Sequence, residues 1–244
     1  MNTNSVVLIT GSAKRIGAAI AQYLHAEDYN VIIHYRDSEL AAKALVDQLL
    51  SSRPNSAICI KAELSHYSEL ENLVIEAKSH WGRIDLLVNN ASTFYRSPIG
   101  HSTLADWDNL VDTNAKVPFY LSQLLATELS KRKGSIVNMI DIHANAPLTE
   151  HTIYCMAKSA LRMMTLSLAK ELAPSVRVNG VSPGAILWSS QHGAQTDKAK
   201  EKLIKEIPLG RLGCVTDIAK TVHFLAISTY ITGQIIAVDG GRSL

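Results

Sequence analysis

The feature that most constrains this chain is an alternation of two kinds of segment. Short runs rich in β-branched residues, at 6–10, 31–35, 57–61, 84–88, 135–140, 176–181 and 235–238, are separated by longer stretches, at about 15–27, 38–51, 67–80, 104–130, 152–172 and 215–227, long enough for crossover helices. Most of the short runs are apolar throughout, the pattern of strands buried on both faces. A strand followed by a long helix and another strand must cross over and run parallel to the first. The sequence therefore predicts an α/β fold: one doubly wound domain over residues 1–244, with a seven-stranded parallel sheet and helices on both faces. No linker, repeat or low-complexity stretch breaks the pattern. Residues 185–205 depart from it, opening apolar with Ile186, Leu187 and Trp188 and then turning polar. A loop of this length in a compact domain predicts a substrate flap, here ending in a helix.

Composition excludes several classes of function. With 24 Lys and Arg against 22 Asp and Glu, the net charge of +2 is too small for a nucleic-acid or anionic-membrane binder. The longest like-charge run, Lys131-Arg132-Lys133, reads as a solvated helix end. Cys59, Cys155 and Cys214 are scattered without a C-x-x-C pair, so no metal site is expected. Sparse, odd cysteines suit a reducing compartment. No stretch approaches the ~20 apolar residues of a membrane span. The chain enters its first strand without a basic start or a signal-type apolar run. The expectation is a cytoplasmic protein.

Thr10-Gly11-Ser12-Ala13-Lys14-Arg15-Ile16-Gly17 joins the first strand to the first helix. Glycine lets a backbone turn tightly and approach a pyrophosphate, and a helix N-terminus offers N–H groups and a positive dipole end. A plain strand-to-helix turn would share these glycines, and the middle glycine of the usual dinucleotide loop is Arg15 here. Placement after the first strand favours a Rossmann-type cofactor loop. His34-Tyr35-Arg36-Asp37-Ser38 ends the second strand. Arginine at that end accommodates a 2′-phosphate, whereas a carboxylate suits a free ribose hydroxyl. Arg15, Arg36 and Ser38 point to NADPH; Asp37 is the discordant residue and would admit NADH if it faced the ribose.

Tyr154-Cys155-Met156-Ala157-Lys158 opens a long helix, and residues four apart share a face. A lysine ammonium near a tyrosine stabilises the phenolate and would lower its pKa from ~10. Such a tyrosine can pass a proton to a substrate atom as hydride arrives. A buried tyrosine with a surface lysine is the bland alternative. Other pieces add weight: Asn89-Asn90-Ala91-Ser92 follows the fourth strand, where an open α/β sheet binds ligands. Asn114 sits inside a helical segment, where asparagine is a mediocre former and a polar task is expected. Pro183-Gly184 ends the sixth strand sharply.

The set T-G-x-x-x-R-x-G, N-N-A-S, Asn114, Y-x-x-x-K and P-G, in this order, resembles the short-chain dehydrogenase/reductase family over essentially the whole chain. The resemblance implies that Tyr154 donates a proton, Lys158 holds the nicotinamide ribose and tunes the tyrosine, and Asn114 anchors a water. It implies cofactor contacts from Gly11, Ile16, Gly17, His34, Tyr35, Asn90, Ala91, Pro183, Gly184 and Ile186. Glu63-Leu64 would flank the adenine, and Met139 would back the nicotinamide. It also implies a homotetramer built on the helices at 104–130 and 152–172. The stripe Leu161, Met164, Leu168 and Leu172 suits that interface or the core equally.

Most family members carry a serine thirteen residues before the tyrosine; here that residue is Asp141. A serine hydroxyl suits a ketone oxygen. A carboxylic acid beside a tyrosine suits a ring nitrogen, to which it can relay a proton, and burial would keep that proton on it. The alternative is that Asp141 only caps a turn at the strand end. Together with Asn90 to Tyr95, Thr152 to Lys158 and the ending Val238-Asp239-Gly240-Gly241, it makes the chain look like pteridine reductases. That resemblance implies a pterin or folate substrate stacked between nicotinamide and Phe94, with Ser92 touching cofactor and pterin and Trp188 near the substrate. Arg242 would reach toward a neighbouring subunit. A carbonyl reductase is the enzymatic rival, and a non-catalytic nucleotide sensor the lesser one.

Overall fold

Seven strands form one sheet: β1 (Val6–Ile9), β2 (Asn30–Tyr35), β3 (Ala57–Lys61), β4 (Leu86–Asn89), β5 (Ser135–Met139), β6 (Arg177–Pro183) and β7 (Ile235–Val238). All neighbours pair in parallel, in the order β3-β2-β1-β4-β5-β6-β7. The computed structural model describes residues 4–186 and 197–244. Every residue of β1, β2, β4 and β5 is buried, which is why these runs are apolar without alternation. The edge strands β3 and β7 are partly open, and β6 is covered except at its two ends.

Two layers of helices produce that burial. α1 (Arg15–Ala26), α2 (Glu39–Ser52) and α8 (Val215–Ile227) pack Ile20, Leu45 and Val222 against Val7, Ile9, Val31 and Ile33. On the other face α3 (Tyr67–Trp81), α5 (Val117–Arg132) and α6 (Thr152–Glu171) pack Leu73, Leu121 and Ala169 against Val6, Leu8 and Ile32. Successive strand residues thus serve opposite layers, as the period of two requires. Leu161 is buried, and Leu168 and Leu172 pack on the core of their own chain. No helix among the described residues is long and apolar enough to cross a membrane.

The strands after β1 build outward one way to β3, and from β4 build the other way to β7. This reversal opens a crevice beyond the carboxyl ends of β1 and β4. The segment expected as one helix over 104–130 is instead α4 (Leu104–Val111), a π-helical turn (Asp112–Lys116) and α5. Asn114, fully buried in that wider turn, donates from Nδ2 to the Leu110 carbonyl at 2.9 Å. Such bulges occur often at functional sites. Of the expected flap, α7 (Asp197–Lys205) is described as a helix, whereas Leu187 and Trp188 lie outside the described residues.

A buried polar chain fixes α6 to the sheet. Asn89 Nδ2 donates to Asn138 Oδ1 at 2.8 Å, and Asn138 Nδ2 donates to Thr165 Oγ1 at 2.9 Å. Thr165 in turn donates to the Leu161 carbonyl at 2.8 Å, so β4, β5 and α6 are linked. Replacing Asn138 by alanine would leave the buried Asn89 amide without a partner and deprive the Thr165 hydroxyl of its donor, breaking two buried hydrogen bonds worth about 1–3 kcal/mol each. Chemical denaturation of Asn138→Ala is expected to show a loss of about 2–4 kcal/mol with an unchanged m-value; a loss below about 1 kcal/mol would assign the chain no structural weight.

Candidate active site

A cleft of about 1170 Å³ opens at the carboxyl edge of the sheet. Every site residue expected from the sequence lines it, except Asn114, which lies behind the wall, and Trp188, which is outside the described residues. The cofactor end starts at the loop after β1. Gly11 has φ +60°, and a Cβ there would sit 3.0 Å from the Ala91 Cα. At Gly17 a Cβ would lie 2.6 Å from Asn90 Nδ2 and 2.7 Å from the Gly11 oxygen. Arg15 occupies the left-handed region at φ +55°, where the usual loop has glycine; for an L-residue this costs about 1–2 kcal/mol. The Lys14 side chain does not cap α1, so the first N–H groups of that helix face the cleft end without a side-chain acceptor.

Three polar side chains hold this loop in place. The Thr10 hydroxyl accepts from the backbone N–H of Asn90 and of Ala91, each at 2.9 Å. Asn90 Nδ2 donates to the carbonyls of Thr10 and Gly11 at 2.9 and 3.0 Å. The Gly11 N–H donates to His34 Nδ1 at 2.9 Å, so Nε2 carries the ring proton and donates to the Ala62 carbonyl at 3.0 Å. Burial pulls the His34 pKa down to about 4, which keeps the ring neutral and able to accept. Sequence reading had placed His34 among the cofactor residues; its role here is to brace the loop. Thr10 was read as the end of the first strand and the opening of the loop motif, without a role of its own; a hydroxyl at the end of an otherwise apolar strand was the available signal.

At the end of β2, Arg36 Nε donates to Asp37 at 2.7 Å and lies 3.8 Å from Glu63. Asp37, the residue that would admit a free ribose, is thus turned onto the arginine. Its side chain is 76% exposed. Exposed pairs of this kind are weak, so the arginine is open to an incoming phosphate. Glu63 accepts from the Ser65 N–H and hydroxyl at 3.1 and 3.0 Å.

The catalytic candidates meet at the other end. The Tyr154 hydroxyl donates to Asp141 Oδ2 at 2.7 Å, while Asp141 Oδ1 accepts from the His143 N–H at 2.8 Å. Asp141 thus caps the turn with one oxygen and pairs with the tyrosine through the other, so it does more than cap a turn. Lys158 Nζ donates to the Met139 carbonyl at 2.9 Å and sits 5.7 Å from the centre of the Tyr154 ring. Ser92 donates to Asn114 Oδ1 at 2.6 Å, and Asn114 Nδ2 donates to the Thr93 carbonyl at 2.9 Å. The Asn114 side chain thus secures the loop carrying Ser92 and Phe94.

The electrostatics correct one expectation. Lysine was expected to lower the tyrosine pKa. Instead burial, and then the Asp141 charge, push Tyr154 well above the ordinary phenol range, against a smaller opposing pull from Ser92. A phenolate beside a carboxylate would put two anions in contact in a desolvated site. Burial also lowers Lys158 to about 8, opposed by Asp141. The arrangement is a neutral phenol hydrogen-bonded to a carboxyl group, with a buried ammonium close by. Arg242 lines the cleft of this chain and donates to Glu206 at 3.1 Å.

Comparison with known proteins places the chain among reductases and dehydrogenases. A family model described as enoyl-(acyl carrier protein) reductase matches residues 11–243. Pteridine reductase 1 of Leishmania tarentolae is 38% identical over 284 residues, covering 99% of this chain and 97% of the relative. The 3-oxoacyl-(acyl-carrier-protein) reductase FabG of Staphylococcus aureus is 35% identical over 245 residues, 99% of each chain. Glucose 1-dehydrogenase 2 of Bacillus subtilis is 28% identical over 248 residues, covering 99% of this chain and 96% of the relative.

Two pH dependences follow from this site. His34 titrates near 6.5 when unfolded and about 4 when folded, so between these values the unfolded chain binds more protons. Stability is expected to fall by up to about 3 kcal/mol as pH drops from 6.5 to 4. His34→Gln, which keeps an acceptor without titrating, should flatten that acid limb in thermal melts; an unchanged limb would assign it to other groups. Lys158 loses its proton as pH rises through about 8. A chemistry needing the ammonium gives kcat/KM a basic limb near that pH. Asp141→Asn removes a charge that favours the ammonium, so residual activity should show the limb at lower pH.

Proposed function

The chain belongs to the short-chain dehydrogenase/reductase family and is an oxidoreductase; from that premise we propose that it uses NADPH to reduce a dihydropterin, or an oxidised pterin or dihydrofolate, to the tetrahydro form. The observation that carries this reading is the 2.7 Å hydrogen bond from Tyr154 to Asp141. A ketone reductase needs its phenol proton aimed at a carbonyl oxygen. Here that proton is engaged by a carboxyl group, and the pair can share and relay a proton to a ring nitrogen. Phe94 lines the same cleft and supplies a ring against which a flat heteroaromatic can stack. The relative named pteridine reductase 1 supports the same substrate class.

The cofactor end suits a phosphorylated dinucleotide. The two glycine surfaces that a Cβ would fill, and the uncapped start of α1, would take the diphosphate. Arg15, Arg36 and Ser38 would take a 2′-phosphate, which is the reason for preferring NADPH to NADH. Lys158 would hold ribose hydroxyls, and Met139 would back the nicotinamide. When bound, the reduced nicotinamide would supply hydride. The chain's own task is then to hold the acceptor ring flat, keep water out and, for each hydride received, deliver one proton from the Tyr154–Asp141 pair to the ring nitrogen next to the reduced carbon, the pair being reprotonated from solvent between turnovers.

The similar identity to a 3-oxoacyl-(acyl-carrier-protein) reductase favours a second reading, reduction of a ketone. NADPH oxidation measured with dihydrobiopterin, dihydromonapterin, dihydrofolate and a 3-oxoacyl thioester separates the two. Turnover of at least one pterin is expected, with Asp141→Ser reducing its kcat/KM by about 100-fold. Turnover of the thioester alone, or a gain of ketone activity in Asp141→Ser without loss of pterin activity, would overturn the pterin reading.

A further inference from the structure

Phe94 is held by a second ring that the cleft does not contain. Its ring is stacked on the imidazole of His151, with centres 4.7 Å apart and planes inclined by 13°. It also meets Tyr154 edge-on at 4.8 Å and 74°. His151 is only 5% exposed and does not line the cleft. It stands at the start of α6, where its carbonyl accepts from the Cys155 N–H at 2.9 Å, three residues before Tyr154 in sequence. The loop carrying Phe94 is joined to this segment by the Ser97 N–H, which donates to the Glu150 carbonyl at 2.7 Å.

A histidine is an expensive choice for that position. Its Nδ1 lies 2.7 Å from the Thr149 carbonyl. A carbonyl only accepts, so Nδ1 carries the proton and Nε2 of the neutral ring is an acceptor. That Nε2 is buried and has no hydrogen-bond partner among the described residues. An unpaired buried acceptor costs stability, and an aliphatic side chain would fill the space without that cost. What imidazole offers is a flat face whose rotation is set by the Thr149 hydrogen bond. Leucine can do neither.

We infer that His151 is a positioning residue: it sets the plane of Phe94, as the rear layer of a stacked platform for a flat heteroaromatic substrate, and registers that platform against Tyr154. The inference rests on the pterin reading above. The platform meets Tyr154 only through the edge-on ring contact and leaves the hydroxyl bond to Asp141 in place, so its loss acts first on capture of the flat substrate. A tilted Phe94 loses offset stacking worth about 0.5–1.5 kcal/mol, or roughly 2–10-fold in affinity.

The test is a series at one position, with steady-state kinetics on a dihydropterin and NADPH and a thermal melt for each variant. His151→Ala and His151→Leu are expected to raise the pterin KM roughly 5–10-fold, with kcat and the NADPH KM little changed. His151→Phe and His151→Tyr, which keep a stacking face, should restore the pterin KM to within about twofold. If alanine does not fold, the leucine–phenylalanine pair carries the comparison, since both fill the site. A leucine variant matching phenylalanine, or a rise in both KM values together, would reduce His151 to a packing residue and overturn the inference alone. Absence of any pterin turnover in the unmodified enzyme would instead remove the substrate reading, and the platform with it.

Discussion

Burial of both faces of a parallel sheet leaves its carboxyl edge as the place where polar chemistry can collect. β1, β2, β4 and β5 have no exposed residue, so their backbone groups are satisfied within the ladder until the strands stop. At that edge the ladder ends, and donors and acceptors must find other partners or face solvent. In this chain side chains take over: the Thr10 hydroxyl serves two N–H groups of the neighbouring loop, Asn90 serves two carbonyls, and His34 accepts from Gly11. Satisfying the end of the sheet and shaping the cofactor loop are therefore one arrangement.

The same desolvation sets the chemistry. Tyr154 and Lys158 are 4% and 2% exposed, and burial is the largest cause of the shift in each. It acts in opposite senses, because it disfavours the anionic form of one and the cationic form of the other. Asp141 opposes burial at the lysine and reinforces it at the tyrosine. A serine in its place would do neither. One carboxylate thus adds to burial in keeping the phenol a neutral hydrogen-bond donor, and opposes burial in helping the ammonium keep its proton.

Much of this was legible from residue order. The seven strands were read from apolar runs because doubly covered strands have no polar face to interrupt them. Gly11 and Gly17 were legible because a turn and a close approach exclude side chains, and Tyr154 with Lys158 because helical periodicity puts them on one face. The break at Asp112–Lys116 was not legible. A π turn differs from an α-helix by one residue of hydrogen-bond offset, and Asn114 stabilises it through a carbonyl that no local propensity describes. His151 was not singled out either. A histidine before a helix reads as an ordinary polar residue until the loop carrying Phe94 folds over it.

The sequence by itself determined the architecture, the glycine loop after the first strand and the identity of the candidate site residues, since periodicity, glycine placement and residue chemistry are local properties. Tertiary structure decided how those side chains work on one another. Asp141 and Tyr154 are joined by a hydrogen bond, Lys158 by one to Met139, and Phe94 is stacked on His151. Each of these depends on a distance between distant segments and on how much water is excluded around it. Charge coupling and desolvation vary steeply with both, so a motif can name the participants while only the packed structure sets the sign of their effect.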